Sequence, residues 1–337
     1  MLIFAVESSC DETSLCLMKS NGEVLSHKIA SQEIHNNFGG VVPELASRSH
    51  LLNLQSLYKK CLTESGINPR DIDIFCSTCG PGLIGCLLVG STFVKSLSIG
   101  FQKPFYAINH LEAHILSPTI NNKIIFPYLC LLLTGGHTQI YLVNGVDNYS
   151  LLGETKDDAL GEAFDKVAKL LNLPYPGGPA IEEIAKNGSI KSVSLPHPLE
   201  KSNTLDFSFS GIKTAVNLYV KNNIINQKIK NNIAASFQHK VTEILKHKIK
   251  ICFNKFNNIK IDQLAIVGGV GSNKYIFAEL KKMCSNNNVE IILPPKDMFS
   301  DNAAMIAWTC IQKLSLKNFQ EGLHFKNDPR LRVGIKK

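Results

Sequence analysis

The sequence has few of the features expected of a secretion signal or a membrane-spanning segment. It begins MLIFAVESSCDET, with no basic stretch before the apolar residues and with a carboxylate already at Glu7, which does not fit a signal peptide. The longest uncharged apolar run, residues 80–94, is shorter than the ~18 residues that a membrane span needs. We therefore expect a soluble protein of the cytoplasm with no membrane partner, a mitochondrial location being the open alternative.

Two common nucleotide-binding motifs are also missing. No G-x-x-x-x-G-K-[ST] occurs in the chain, and the glycines at positions 268, 269 and 271 do not form a G-x-G-x-x-G. Their absence disfavours a P-loop nucleotidase and a dinucleotide-dependent hydride-transfer enzyme.

The ten cysteines do not form a recognisable metal motif. The single C-x-x-C, at Cys76 and Cys79, has no second pair that would complete a zinc site, and the other cysteines are scattered through apolar segments. We interpret them as buried thiols of a protein from a reducing compartment.

What the chain does have is length and positive charge. Its 337 residues, 44% of them hydrophobic, are enough for about two domains with full cores. The net charge of +8 is spread along the chain and favours a polyanionic partner, of which nucleic acid is the usual one.

Strands, glycine turns and helices alternate, which indicates an α/β fold. IFAVE and SLCLMK flank the polar turn SSCDET, and the same pattern returns at residues 126–143, where FPYLCLLL and IYLV flank TGGHTQ. Two such hairpins suit a nucleotide held in a cleft between similar subdomains, because their turns offer backbone N–H groups to phosphate. The alternative is two ordinary hairpins.

A histidine pair stands at residues 109–114, in the stretch NHLEAH. On a helix, His110 and His114 share one face and can bind one metal ion, whereas Glu112 lies about 200° around the helix from His110. A metallopeptidase needs that glutamate directly after the first histidine, so the spacing argues against peptidase chemistry. A third ligand is expected from DMFSDNAAMIAW, where Asp297 and Asp301 are the candidates.

A third glycine element, DQLAIVGGVGSNKYIF, joins a predicted strand to a predicted helix that begins near Asn273. The small residues let a ligand approach the backbone, and the helix N-terminus favours an anion.

Taken together, these motifs resemble the tRNA threonylcarbamoyladenosine synthesis transferase family, in its bacterial and organellar branch. The resemblance covers residues 3–310 in the family order and is carried by VESSCDET, GGVVPELASRSH, GPGLIGCLLVG, NHLEAH, LLLTGGHTQ, DDALGEAFDKVAKLLNLPYPGGP, DFSFSGIKTAV, GGVGSN and SDNAAMIAW. It implies two related subdomains of the actin/Hsp70/sugar-kinase-like (ASKHA) fold with a nucleotide cleft between them. We expect residues 1–122 in the first and 123–337 in the second, with an insertion around 180–230 and a C-terminal helix that packs back on the first.

The resemblance also implies an activity. The family transfers the threonylcarbamoyl group from threonylcarbamoyl-AMP to N6 of the adenosine just 3′ of the anticodon, in tRNAs that read codons beginning with adenosine, and releases AMP. It further implies one divalent metal ion, iron or zinc, held by His110, His114 and Asp301.

The remaining site residues follow from the same motifs. The expected substrate-binding residues are Leu133, Thr134, Gly135, Gly136, His137, Asp165, Gly178, Glu182 and Asn273. From their place in the first hairpin turn, Asp11 and Glu12 are our candidates for positioning the attacking amine or accepting its proton. Plainer roles stay open: a turn residue for Asp11, a solvated helix edge for Asp165 and a simple turn for Gly178.

The implied partners are threonylcarbamoyl-AMP, tRNA, an ATP-dependent enzyme that makes the adenylate and, in bacteria, a paralogous scaffold subunit with a small ATPase. Two other functions stay open, a metal-dependent glycoprotease and a noncatalytic nucleotide-binding scaffold. The presence of both histidines, Asp301, Asp165 and Asn273 favours the active transferase.

Overall fold

The computed structural model describes residues 1–120, 122–256, 259, 261–316, 319 and 322–334. It divides into two compact units. Unit 1 consists of Met1–Asn122, Val146–Asn148 and Pro294–Lys337, and unit 2 consists of Lys123–Gly145 and Tyr149–Leu293.

Strands and helices alternate along the described chain. The strands are β1 (Leu2–Glu7), β2 (Glu12–Lys19), β3 (Val24–Ser31), β4 (Ile74–Gly80), β5 (Phe105–Asn109), β6 (Tyr128–Leu133), β7 (Thr138–Gly145), β8 (Asn148–Glu154), β9 (Gln263–Val267) and β10 (Glu290–Ile292). The helices are α1 (Pro43–Ser65), α2 (Ile84–Phe101), α3 (His110–Leu116), α4 (Leu160–Leu170), α5 (Gly177–Ala185), α6 (Ser210–Lys221), α7 (Gln227–Lys255), α8 (Lys274–Ser285) and α9 (Ala303–Leu314). Short 3₁₀ turns link several of them.

Each unit contains a five-stranded sheet, and the strand orders correspond. Unit 1 has the order β3-β2-β1-β4-β5, and unit 2 has β10-β9-β6-β7-β8. The first strand of each unit pairs antiparallel with the next strand and parallel with a later one: β1 with β2 and β4, and β6 with β7 and β9. The repeated hairpin seen in the sequence is therefore a repeated sheet topology.

Asparagine side chains begin several of the helices. Asn109, Asn226, Asn273 and Asn302 each accept a backbone N–H from the first turn, at the starts of α3, α7, α8 and α9. Such caps satisfy donors that a helix start leaves unpaired. The predicted helix at 43–66 is confirmed: Pro43 opens α1, and Gly66 ends it in the left-handed conformation, with φ 65°.

Both faces of the unit 1 sheet are covered. Ile3, Ala5 and Cys76 pack on the side of α9, and the alternating residues Phe4 and Val6 pack on the side of α1 and α2. Side chains alternate between faces along a strand, so an entirely apolar strand such as β1 must be buried on both sides.

The C-terminal segment belongs to unit 1. Helix α9 packs against β1, β2, β4 and β5, and residues from Pro294 onward group with the first unit, although the sequence-based range of the second subdomain ran from 123 to 337.

Cys76 and Cys79 lie on opposite faces of β4. Cys76 belongs to the buried cluster beneath α9, and Cys79 belongs to the cluster beneath α1 and α2. Burial raises the pKa of the Cys79 thiol to about 11. The pair cannot share a metal ion, which confirms its interpretation as separate buried thiols.

Helix α2 is apolar enough to cross a membrane by length and composition, with a mean hydropathy of 1.6, and is the one such helix among the residues described. One third of it is buried in the structure. Its contacts with α1 and β4 are those of a helix layered on a sheet, and an apolar helix of this kind is also found in soluble proteins.

Candidate functional site

The first group of candidate residues lies at the carboxyl ends of the parallel strands of unit 1. Glu7 ends β1, and Asn109 ends β5, directly before α3. The Asn109 side chain accepts the N–H groups of Leu111 and Glu112 at 2.9 and 3.1 Å, which starts the helix at His110. Ligands of open α/β sheets bind at this edge, so the histidine pair stands in a common place for a functional site.

Three predicted ligands meet there. Nε2 of His114 is 3.0 Å from Oδ1 of Asp301, and Nε2 of His110 is 3.4 Å from the same oxygen. The candidate ligand atoms all lie within 4.8 Å of one another. Asp297, the other candidate, instead has a side chain that is 69% exposed and lies 3.9 Å from His27. The structure therefore selects Asp301.

Glu112 is engaged by a different partner. Lys313, near the end of α9, donates to both of its carboxylate oxygens at 3.0 and 2.8 Å, and also to Asp147 at 3.3 Å. A buried glutamate held by a lysine cannot act as the water-activating base of a peptidase.

Sequence reasoning missed Glu7. Its carboxylate is fully buried; Oε2 accepts from Nδ1 of His110 at 3.0 Å and from the Thr78 hydroxyl, and Oε1 accepts from the Ser9 N–H at 2.6 Å. The available signal was a charged residue at the end of an otherwise apolar strand, because a buried carboxylate is rare unless it is paired.

Charge coupling among these groups is strong. Burial opposes protonation of His110, but the carboxylates of Glu7 and Asp301 outweigh it and raise the pKa of the imidazole well above its usual range. Burial disfavours ionised Asp301, yet His110 and His114 hold the pKa of this carboxyl well below its ordinary value. Burial lowers the pKa of His114, which leaves that ring neutral.

Two more carboxylates stand beside this cluster, in the turn between β1 and β2. Burial, followed by the negative charges of Asp11 and Asp301, raises the pKa of Glu12 to about 9. Glu12 is therefore neutral near pH 7, because the carboxylates of Glu7, Asp11 and Asp301 already crowd a region where His110 is the main compensating cation. Such an excess of negative charge favours a bound cation.

These residues fit a divalent metal ion. Two imidazole nitrogens and one carboxylate oxygen converge, which is a donor set that iron and zinc both accept. Nδ1 of His114 is buried without a hydrogen-bond partner among the described residues. With Asp301 ionised, Nε2 of His114 donates to that carboxylate at 3.0 Å, and a metal ion bound here would replace that proton.

The second group of candidates lies in unit 2, at the turn between β6 and β7. Leu133 ends β6 and is buried, and the Thr134 N–H donates to the His137 carbonyl at 2.9 Å, which closes the turn. Gly135 and Gly136 are exposed, and a Cβ on either would meet no atom within 4 Å. The glycine backbone of this turn is open to a ligand.

Two other glycine segments pack against this turn. A Cβ on Gly161, in the first turn of α4, would lie 2.7 Å from the Gly135 Cα atom, and one on Gly268 would lie 2.5 Å from the Leu133 carbonyl oxygen. Both positions need glycine because backbone occupies the space of a side chain. The start of α4 and the GGVGSN segment are thereby fixed beside the turn.

Asp165, on α4, contacts the start of α5, where Gly178 lies. Oδ1 of Asp165 accepts the Gly177 N–H at 2.7 Å, whereas a Cβ on Gly178 would meet nothing within 4 Å. One oxygen of Asp165 thus holds the helix start, so this residue is more than a solvated helix edge, and Gly178 leaves open space beside it.

Glu182 and Asn273 meet at the start of α8. Oε1 of Glu182 accepts the Lys274 N–H at 2.8 Å. The amide of Asn273 accepts from the Ile276 N–H at 3.0 Å and donates to Gln238 at 2.9 Å. Both residues stabilise this helix start. The contacts form a series: the turn at 134–137 contacts α4, α4 contacts α5, α5 contacts the start of α8, and Gly268, shortly before α8, packs against Leu133 beside the turn.

Solved structures share this architecture at low sequence identity. HypF in its phosphate- and nucleotide-bound form superposes with a TM-score of 0.62 at 14% identity, over 95% of this chain and 47% of that chain. The activator of 2-hydroxyisocaproyl-CoA dehydratase from Clostridium difficile with bound ADPNP gives 0.53 at 16% identity, over 95% and 100%. The likeness concerns the fold alone and confirms the predicted two-subdomain ASKHA fold.

Sequence relatives are much closer. The tRNA N6-adenosine threonylcarbamoyltransferase of Pelagibacter ubique is 45% identical over 95% of this chain and 92% of its own length. The protein of the same name from Wolbachia pipientis is 44% identical over 97% of both chains. The family described as tRNA N6-adenosine threonylcarbamoyltransferase matches residues 23–308. The chain therefore belongs to the tRNA N6-adenosine threonylcarbamoyltransferase family and is a transferase that forms threonylcarbamoyladenosine on tRNA.

Proposed function

We propose that this transferase takes the threonylcarbamoyl group from threonylcarbamoyl-AMP and places it on N6 of the adenosine just 3′ of the anticodon, in tRNAs that read codons beginning with adenosine. The observation that carries the proposal is the series of contacts in unit 2 that joins a Thr-Gly-Gly-His turn, with both glycines exposed, to the starts of three helices. Backbone N–H groups and helix N-termini are the groups that bind a nucleotide phosphate.

Within this site, Gly135 and Gly136 give the acyl-adenylate access to backbone N–H groups, beside Leu133, Thr134 and His137. Asp165 is assigned to the ribose hydroxyls, and Gly178 allows the nucleoside to approach. Glu182 and Asn273 fix the start of α8 on the adenine side. The hydrogen bonds that hold Asp165, Glu182 and Asn273 in place support these assignments, because preorganised groups bind a ligand at lower cost.

The reaction joins a weakly nucleophilic amine to a carbamoyl carbon. The adenosine N6 nitrogen forms the new C–N bond, the C–O bond to AMP breaks with its electrons on the phosphate oxygen, and the amine loses a proton. We assign Asp11 and Glu12 to positioning the amine or accepting that proton. With its pKa raised to about 9, Glu12 holds a proton near neutral pH, so it suits the positioning role as a hydrogen-bond donor, and accepting the proton is assigned to Asp11.

We assign the metal to His110, His114 and Asp301, with iron and zinc as the candidate ions. When bound, a divalent cation supplies positive charge that stabilises the negative charge developing on a substrate oxygen. Because Lys313 holds both oxygens of Glu112, that glutamate is not available as a water-activating base, and this supports the transferase over a glycoprotease.

For tRNA, we propose that the acid-free segment of unit 2 contacts the phosphates. Residues 207–242 contain five lysines and no Asp or Glu. Lys221 and Lys228, at the end of α6 and the start of α7, are exposed and have no acidic partner within the part of the chain that the structure describes. Clustered lysines without acids form the electrostatic footprint of a nucleic-acid contact.

For protein partners, we propose that a paralogous scaffold subunit docks on an apolar surface of α1 and α2, with a small ATPase completing the assembly in the cytoplasm. Leu51 and Leu52 of α1 are 68% and 78% exposed, and Ile84, Leu88 and Ile99 of α2 are exposed as well. An apolar group of this kind on one pair of helices is typical of a protein interface. Leu52→Glu is expected to abolish co-purification with the paralogue, whereas Leu218→Glu, at an exposed leucine of α6, is not.

The proposed reaction is tested with the purified chain, threonylcarbamoyl-AMP and unmodified tRNA, with and without the partner proteins. Nucleoside mass spectrometry should show threonylcarbamoyladenosine, and AMP should appear in equal amount. Absence of the modified nucleoside with every partner set, together with cleavage of a glycoprotein substrate, contradicts the proposal.

A further inference from the structure

Glu7 makes a set of contacts that the reaction itself does not require. It is fully buried at the end of β1, and its two oxygens accept from three donors: the Ser9 N–H, the Thr78 hydroxyl and Nδ1 of His110. Thr78 lies on β4, the parallel neighbour of β1. The carboxylate is therefore fixed by its own strand β1, by Thr78 of β4 and by the turn at Ser9, independently of its contact with His110.

The contact fixes which nitrogen of His110 carries the proton. An ionised carboxylate can only accept hydrogen bonds, so Nδ1 at 3.0 Å must donate to it. The other nitrogen, Nε2, faces Asp301 at 3.4 Å and is the nitrogen that gives up its proton when a metal ion binds. A ring that keeps its proton on Nδ1 is then in the tautomer that binds a metal ion through Nε2.

His114 has no equivalent contact. Its Nδ1 is buried without a partner among the residues described, although its Nε2 lies 3.0 Å from the same Asp301 oxygen. The two histidines therefore differ: Nδ1 of His110 is held by a carboxylate behind the ring, whereas His114 is oriented by its contact with Asp301 and by packing, with no partner for Nδ1 among the residues described.

We infer that Glu7 is a positioning residue, which together with Thr78 fixes the tautomer and ring orientation of His110 so that Nε2 faces Asp301 and His114. The inference rests on the proposed metal site. A carboxylate behind a histidine ligand also increases its basicity, and loss of such a partner commonly reduces metal affinity 10–100-fold.

The competing explanation is that Glu7 only neutralises a buried charge and stabilises the fold. Glu112 provides the control, because it is also a buried carboxylate of unit 1 but pairs with Lys313. If burial of a charge pair were the whole effect, Glu7→Gln and Glu112→Gln would both lower thermal stability, and neither would change metal affinity selectively.

The experiment measures zinc and cobalt affinity of the full chain by competition with a chromogenic chelator. We expect Glu7→Gln to lower the affinity about 10–100-fold and Thr78→Val to lower it a few-fold, since valine keeps the shape but removes the hydroxyl. Glu112→Gln should leave the affinity within about two-fold of the parent value while lowering the melting temperature. Nitrogen-15 spectra of the zinc-bound chain should show the His110 Nδ1 proton protected from exchange, and Glu7→Gln should remove that protection.

The outcomes separate this inference from the metal site itself. If His110→Ala and His114→Ala bind zinc as tightly as the parent chain, the metal assignment is wrong. If those two variants lose zinc but Glu7→Gln and Thr78→Val keep it, the metal assignment stands and the role of Glu7 is refuted. Should Glu7→Gln not fold, an unchanged affinity and unchanged His110 exchange in Thr78→Val refute the inference on their own.

Discussion

Units 1 and 2 have corresponding strand orders but different chemistry at the corresponding turn. The turn after β1 is followed by Asp11 and Glu12 and lies beside a buried cluster of histidines and acids. The turn after β6 has two exposed glycines, and a Cβ on either would meet no atom within 4 Å. The corresponding turns thus present carboxylate side chains in unit 1 and main-chain N–H groups in unit 2.

The units also differ in charge. Unit 1 contains 16 Lys and Arg against 15 Asp and Glu, whereas unit 2 contains 20 Lys against 13 Asp and Glu. Nearly all of the net charge of +8 therefore lies in unit 2. A common topology constrains where a site can lie, and the residues of the turn and surface determine what it binds.

The largest effect is expected in unit 1. Asp301→Asn removes the negative charge of the proposed metal ligand, whose Oδ1 lies beside both His110 and His114. Metal content, measured by elemental analysis at a fixed free-metal concentration, should therefore fall at least about 100-fold. Asp297→Asn is the matched control, because this exposed aspartate lies four residues earlier and faces His27. Equal metal loss in both variants contradicts the assignment of Asp301.

Unit 2 is tested through its charge. The double variant Lys221→Glu/Lys228→Glu should weaken tRNA binding at least about 10-fold at moderate salt and reduce the slope of log K against log salt by about two, since each phosphate contact contributes about one. The control Lys281→Glu/Lys282→Glu makes the same charge change on α8 of the same unit. If both pairs change the slope equally, general charge rather than the acid-free segment binds tRNA.

The glycine turn of unit 2 can be disturbed without changing any charge. Gly161→Ala should lower the free energy of unfolding by about 1–3 kcal/mol, because its Cβ would lie 2.7 Å from the Gly135 Cα atom. The Cβ added by Gly178→Ala would meet no atom within 4 Å, so the free energy of unfolding should stay within about 0.5 kcal/mol of the parent value. The KM for threonylcarbamoyl-AMP should rise, because the added methyl group occupies space assigned to the nucleoside. Denaturant unfolding and steady-state kinetics measure the two effects, and a stable Gly161→Ala chain with normal KM contradicts the packing argument.

The smallest effect concerns the acidic turn of unit 1. Nδ1 of His50 lies 2.8 Å from the Thr13 hydroxyl and Nε2 donates to the Cys10 carbonyl at 2.9 Å, while burial lowers the pKa of this ring. The unfolded chain, with a His pKa near 6.5, therefore takes up the proton first, so stability is lost as pH falls through about 6.5 toward the folded pKa. Between pH 7.5 and 5, the free energy of unfolding should fall less steeply with pH in His50→Gln than in the parent chain. The two slopes should differ by up to about 1.4 kcal/mol per pH unit, the contribution of one proton. Identical slopes contradict a neutral, buried His50.

Much of this molecule was predictable because its signals are local. The i, i+4 spacing of His110 and His114 needs only a helix, and the Asn caps, Pro43 and Gly66 mark helix ends within a few residues. The doubled hairpin was visible because strand, turn and strand are adjacent in sequence. Because the hairpin is repeated, β1–β2 and β6–β7 occupy corresponding positions in the strand orders of the two sheets.

The sequence by itself determined that His110 and His114 share one helix face, where the glycine turns lie and the repeated α/β pattern, since each depends on neighbouring residues. The residue pattern left Asp297 and Asp301 open and the family resemblance favoured Asp301; the tertiary structure supplies the physical reason, because packing of α9 on the first sheet brings Asp301 to His114, 187 residues earlier, and to His110. It also decided that Glu7 faces His110 and that Glu112 faces Lys313. Those pairings depend on which face of a strand or helix another element covers, which the local pattern does not specify.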